Sequence, residues 1–151
     1  FVIFGLIISG VTAFPLLIEL NLMSEWITGG NGNLDPSDYE GYKHWILMVR
    51  EGLANTHLEY PFIAYGTDWL AFAHIIIALF FIPVYRKPAQ YIEILHVGVI
   101  ACISVIPLAM ICGEVRGIPF YWRLIDCSFG FVAIFPLLYG IKLARRLEAG
   151  C

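Results

Sequence analysis

Apolar residues run almost unbroken through four stretches of this chain, Phe1–Leu20, Trp69–Tyr85, Tyr91–Cys112 and Ile118–Leu138, and polar residues gather between the first two. Each stretch approaches the ~20 residues that an α-helix needs to cross ~30 Å of hydrocarbon. The pattern predicts an all-α fold, a four-transmembrane-helix bundle forming one integral membrane domain over residues 1–151. The crossings fall at 1–22, 68–85, 90–113 and 118–141, with an outer segment at 24–67.

The outer segment has its own pattern. Gly29-Gly30-Asn31-Gly32-Asn33 predicts a turn, because Gly and Asn accept positive φ. Asp35-Pro36-Ser37-Asp38 has the form of a helix start. From there Tyr39, Tyr42, Ile46, Val49 and Leu53 recur at helical spacing, with Lys43, Arg50 and Glu51 assigned to other faces. This predicts an amphipathic helix over 39–58 lying in the membrane interface, where Tyr39, Tyr42 and Trp45 suit the headgroup layer. A packed cap over the outer mouth is the rival placement. Thr67 or Asp68 is the expected cap of the second crossing, and Pro119 opens the fourth. Beyond its first turn each crossing holds one proline, Pro15, Pro83, Pro107 or Pro136, and each is expected to kink its helix.

Composition supports the same class. The chain is 60% hydrophobic and 14% charged, too apolar for a soluble domain of this size to stay free of large exposed patches. A net charge of −3 with no basic stripe gives no reason to expect nucleic acid. Arg86 and Lys87 lie between the second and third stretches, and Lys142, Arg145 and Arg146 follow the fourth. Lysine and arginine accumulate on the cytoplasmic side, so both termini are expected inside and the outer segment outside. Absence of an initial methionine suggests that residues precede Phe1. The first stretch is longer than the ~7–15 residues of a signal-peptide core, so a membrane helix is expected there. Cys102, Cys112, Cys127 and Cys151 show no metal-type spacing and fall at different depths, so packing rather than a disulfide is expected.

Three strings, Gly66-Thr67-Asp68-Trp69-Leu70-Ala71-Phe72-Ala73-His74, Gly113-Glu114-Val115-Arg116-Gly117-Ile118-Pro119-Phe120 and Leu124-Ile125-Asp126-Cys127-Ser128-Phe129-Gly130, carry a resemblance. From about Tyr60 to the C-terminus the chain resembles a group of small uncharacterised four-helix bacterial integral membrane proteins. The resemblance implies a multi-pass protein of the bacterial cytoplasmic membrane and brings no assigned activity.

Ionisable groups within membrane segments are costly and mark candidate sites. His74 lies ~9 Å along the helix from Asp68, and Asp126 ~10 Å from Pro119, on two helices that run the same way. Asp68, His74, Glu114, Arg116, Arg123 and Asp126 therefore form a candidate ligand pocket in the outer leaflet. Three uses are open. One is an internal network in which Asp126 pairs with Arg123, Glu114 with Arg116, and His74 donates to a carbonyl. The second is a small-molecule, headgroup or ion site. The third is a metal or haem site, using a single histidine or His74 with His57 or His44. Glu93 and His96 share a helix face, but a di-iron bundle needs two such pairs and two further glutamates. Glu93 is expected instead to snorkel toward the cytoplasmic interface, near Lys87. His74 and His96 differ by ~15 Å in depth, too far apart for one haem iron. No nucleophile has a His–Asp context, and no phosphate loop is present.

These features favour a non-catalytic accessory or structural subunit of a larger membrane complex. Its expected partners are the lipid bilayer and other membrane subunits or further copies of itself. No cofactor is expected. A small-molecule or ion-binding or transport module is the alternative, and a haem- or metal-binding redox protein the second alternative.

Overall fold

The computed structural model describes residues 1–149, so Cys151 lies outside the described residues. Among them the chain is all-helical: α1 (Val2–Ala13), α2 (Leu16–Thr28), a single 3-10 turn at Pro36–Asp38, α3 (Gly41–Glu59), α4 (Pro61–Arg86), α5 (Ile92–Val115) and α6 (Phe120–Ala149). Three helices, α4, α5 and α6, are long and apolar enough to cross a membrane, and a fourth crossing exists only if the bent pair α1 and α2 counts as one span. This is a membrane protein by length and composition of its helices. The chain divides into two compact units, Leu6–Ile76 and Phe1–Gly5 with Ile77 onward, so α1 and α4 each contribute to both.

The first apolar stretch is not one helix. α1 and α2 meet at an angle of 86°. Pro15 cannot donate to the preceding turn. It starts a new helix instead, its carbonyl accepting from the backbone N–H groups of Ile18 at 2.8 Å and Glu19 at 3.0 Å. The other three prolines, Pro83, Pro107 and Pro136, sit inside continuous helices.

In the unit Leu6–Ile76, α2 packs on α3 through a polar face. Ser24 and Thr28 are the buried residues of α2, and Ile46 and Leu47 those of α3. The Arg50 Nε donates to the Asn21 Oδ1 at 2.7 Å. Arg50 thus lies on the face of α3 that packs on α2, while Tyr42 and Val49 are exposed. The inward stripe is turned toward Leu47, because one charged group with a polar partner on the facing helix can be buried. Tyr39 lies before the helix, and the turn ahead of it is held by side chains. The Asp35 Oδ1 accepts from the Ser37 N–H at 2.9 Å and the Ser37 Oγ at 2.7 Å. Donation by the Ser37 hydroxyl, then by its N–H, holds the Asp35 carboxyl below its ordinary pKa. Gly10 of α1 fits against α4 so closely that a Cβ there would stand 2.8 Å from the Ala71 carbonyl oxygen.

α4 starts at Pro61 rather than at Thr67 or Asp68. Proline at the first helical position loses no hydrogen bond, and the Thr67 hydroxyl donates back to the Ala64 carbonyl at 2.6 Å instead of capping. α5 runs slightly past its expected end at 113, to Val115, and α6 more than two turns past 141, to Ala149.

In the other unit α5 and α6 form an antiparallel pair with a seven-residue seam. Arg123, Gly130, Leu137 and Ala144 recur on the inner side of α6, and the last three are buried. A repeat of seven matches the shallow left-handed crossing of helices. Small residues set the distance, as is common between membrane helices. A Cβ on Gly130 would lie 2.6 Å from the Cys102 carbonyl oxygen, and one on Gly98 3.2 Å from Leu137. Gly140 faces Leu95, and Gly113 faces the stem of Arg123.

Aromatic residues punctuate α4 and α6 at both ends. Trp69 and Tyr85 of α4 are separated by ~24 Å of helix, and Trp122 and Tyr139 of α6 by ~26 Å. Those spacings suit two interfacial belts flanking a hydrocarbon layer. Tyr65, Trp69 and Phe72 form an exposed stripe on α4 joined by edge-to-face contacts at 5.9 and 6.1 Å.

Candidate functional site

The six pocket candidates are distributed over three helices. Asp68 and His74 lie on α4 in the unit Leu6–Ile76; Glu114 and Arg116 lie at the end of α5, and Arg123 and Asp126 on α6, in the other unit. Asp68 and His74 are both half-buried. The His74 Nδ1 is 2.8 Å from the Leu70 carbonyl oxygen, one turn back on its own helix. That contact fixes the ring by a local bond and leaves Nε2 for another partner.

At the α5–α6 end the pairing differs from the expected one. Arg123 pairs with Glu114, not with Asp126. Its Nε also donates to the Ile118 carbonyl at 2.8 Å, and its guanidinium carbon stands 5.8 Å from the Phe120 ring centre. The connection between the helices turns tightly here, with Gly117 at φ 68°. It brings Glu114 back over the first turn of α6. Gly113 has no side chain, so the aliphatic stem of Arg123 lies directly on α5. Arg116 is exposed and makes no ion pair among the described residues, so the expected Glu114–Arg116 pair is not formed.

Asp126 is the outlier. It is half-buried on α6, next to Cys127 on the seam, and makes no hydrogen bond or ion pair among the described residues. The Cys127 Sγ, by contrast, approaches the Ile106 carbonyl at 4.0 Å. A carboxyl one turn inside an apolar helix with no protein partner is a group that a structural network would have paired. Sequence reasoning placed it inward and gave it Arg123. It missed that Glu114, returned by the Gly117 turn, takes Arg123 first.

The second ionisable pair shares one helix face as expected: the Glu93 carboxylate is exposed and lies 3.5 Å from the His96 Nδ1. His57 is exposed on α3, and the His44 Nδ1 is 2.8 Å from the Pro36 carbonyl. No group of three His, Cys, Asp or Glu side chains that could hold a metal ion occurs among the described residues. Cys102, Cys112 and Cys127 are free thiols, Cys102 buried against α6.

Comparison with protein-family models, curated proteins and solved structures finds no match to this chain.

Proposed function

We propose that this chain is a non-catalytic multi-pass membrane protein, an accessory or structural subunit of a larger complex in the inner membrane of a bacterium. In this reading it forms a four-span bundle with both termini in the cytoplasm, and α3 lies at the outer surface. The observation that carries it is the outward face of α2. Ile18, Leu22 and Trp26 recur one turn apart and are 62, 62 and 83% exposed, opposite the Asn21, Ser24 and Thr28 face that packs on α3. α2 has 13 residues, so it completes a crossing only together with α1. A bare apolar stripe on such a helix is the kind of surface that a neighbouring subunit covers. The long helices add to this: only 11–17% of each span is buried within the chain itself.

The test is native electrophoresis of the tagged chain extracted gently from its own membrane. A stoichiometric assembly well above monomer mass is expected, and Leu22→Ser with Trp26→Ser should dissolve it. A monomer in the unaltered protein would overturn the subunit reading.

A second reading rests on Asp126. A half-buried carboxyl without a protein partner among the described residues, with Cys127 and Ser128 as neighbours in sequence, suits an ion- or small-molecule-binding site.

A further inference from the structure

The turn from α4 to α5 encloses a cleft of about 260 Å³ lined by Ile82, Pro83, Arg86, Lys87 and Tyr91. At ~30 Å³ per water this is room for a group of several heavy atoms. Its chemistry is divided. Ile82 and Pro83 belong to the last apolar turns of α4, whereas Arg86 and Lys87 bring two cations to the rim. Neither cation makes an ion pair among the described residues. The acidic group nearest in sequence, Glu93, does not line the cleft and is engaged with His96. Tyr91 immediately precedes α5. Lys142, Arg145 and Arg146 stand at the same end of the α5–α6 pair, beyond the Gly140–Leu95 contact.

We propose that this cleft holds the phosphate of an anionic phospholipid, with Arg86 and Lys87 on the phosphate oxygens, Tyr91 as a hydroxyl donor, and Ile82 and Pro83 against the start of the acyl chains. The apolar wall is what selects a lipid over free phosphate. Two cations without carboxylate partners, set one turn from the hydrocarbon end of a long apolar helix, complement a phosphodiester at the depth where lipid headgroups lie. Guanidinium geometry favours two-point contact with phosphate oxygens. The assignment rests on the membrane class of the chain and not on the subunit reading, so an isolated monomer is still expected to bind.

Native mass spectrometry of the full chain, released from nanodiscs of equimolar phosphatidylglycerol and phosphatidylcholine, tests it. Retained phosphatidylglycerol should exceed phosphatidylcholine, and Arg86→Gln with Lys87→Gln should lower that preference by about tenfold or more. Lys142→Gln with Arg145→Gln removes equal charge outside the cleft and should lower it far less. Equal losses in the two double variants would mean diffuse attraction and overturn the site. Displacement of the lipid by inorganic phosphate would assign the cleft to the free anion instead and also overturn it. A second measurement needs no substitution. Phosphatidylglycerol with a photoreactive headgroup should crosslink the unaltered protein within residues 82–91, and crosslinks confined to 142–146 would contradict the proposal.

Discussion

Gly130→Val is expected to be the most damaging single replacement in the α5–α6 pair, lowering stability by ~3 kcal/mol or more. The Cβ alone would stand 2.6 Å from the Cys102 carbonyl oxygen. That oxygen is backbone in the middle of a continuous helix, so no side chain can swing away to make room. α6 must move off α5, and the seam through Leu137 and Ala144 opens with it. Gly140→Ala is the matched control. Its Cβ would meet only the methyl ends of Leu95, at 3.3 and 3.5 Å, and a small shift of that side chain absorbs it. Thermal unfolding in mild detergent should show a large drop for Gly130→Val and a small change for Gly140→Ala. Equal shifts would mean that the two helices do not meet at Cys102.

Asp126→Leu is expected to stabilise the protein. An aspartate at the centre of a membrane helix costs ~2.5–3.5 kcal/mol on insertion scales, and the cost declines toward the interface. Asp126 is near one end of its helix, so a gain of about 1–2 kcal/mol follows from removing it. Arg123 is not stranded by the change, because its partners are Glu114 and the Ile118 carbonyl. Arg123→Leu should instead destabilise, since it removes a charge-assisted hydrogen bond, an ion pair and the stem that covers Gly113. Opposite signs for residues 123 and 126, measured in the same melts, would separate the observed pairing from an Asp126–Arg123 pair. A stabilising Asp126→Leu that also abolishes a transport or binding activity would move the chain to the ion- or small-molecule-site reading, where lost stability is retained for function.

Some of this structure was legible in the sequence, and the reasons are physical. The long helices α4, α5 and α6 follow from runs of apolar residues that no soluble fold could bury. The turn at 29–33 follows from glycines, and three of them do take positive φ. The fate of Pro15 was not legible. Four prolines weaken four helices equally as sequence, and the surrounding packing decides which one breaks. Pro61 as the first residue of α4 was hidden by Gly66 and Thr67, which imitate a helix start. The partner of Arg50 was not legible, because Asn21, its acceptor, is distant in the chain. Among the site candidates, sequence marked the ionisable residues within the apolar helices but not their partners. Arg123 had Asp126 one turn along its own helix and Glu114 across a turn, and only the fold of the Gly117 connection chooses between them.

The chain is proposed to cross a membrane several times, with the turn at Asn31 outside and the turn at Lys87 inside. Single cysteines at Asn31 and Lys87, in a chain whose native cysteines are replaced by alanine, test it with a membrane-impermeant maleimide on intact cells and on inverted vesicles. The account predicts that Asn31→Cys is labelled only in intact cells and Lys87→Cys only in inverted vesicles. Labelling of both positions from the same side would contradict it.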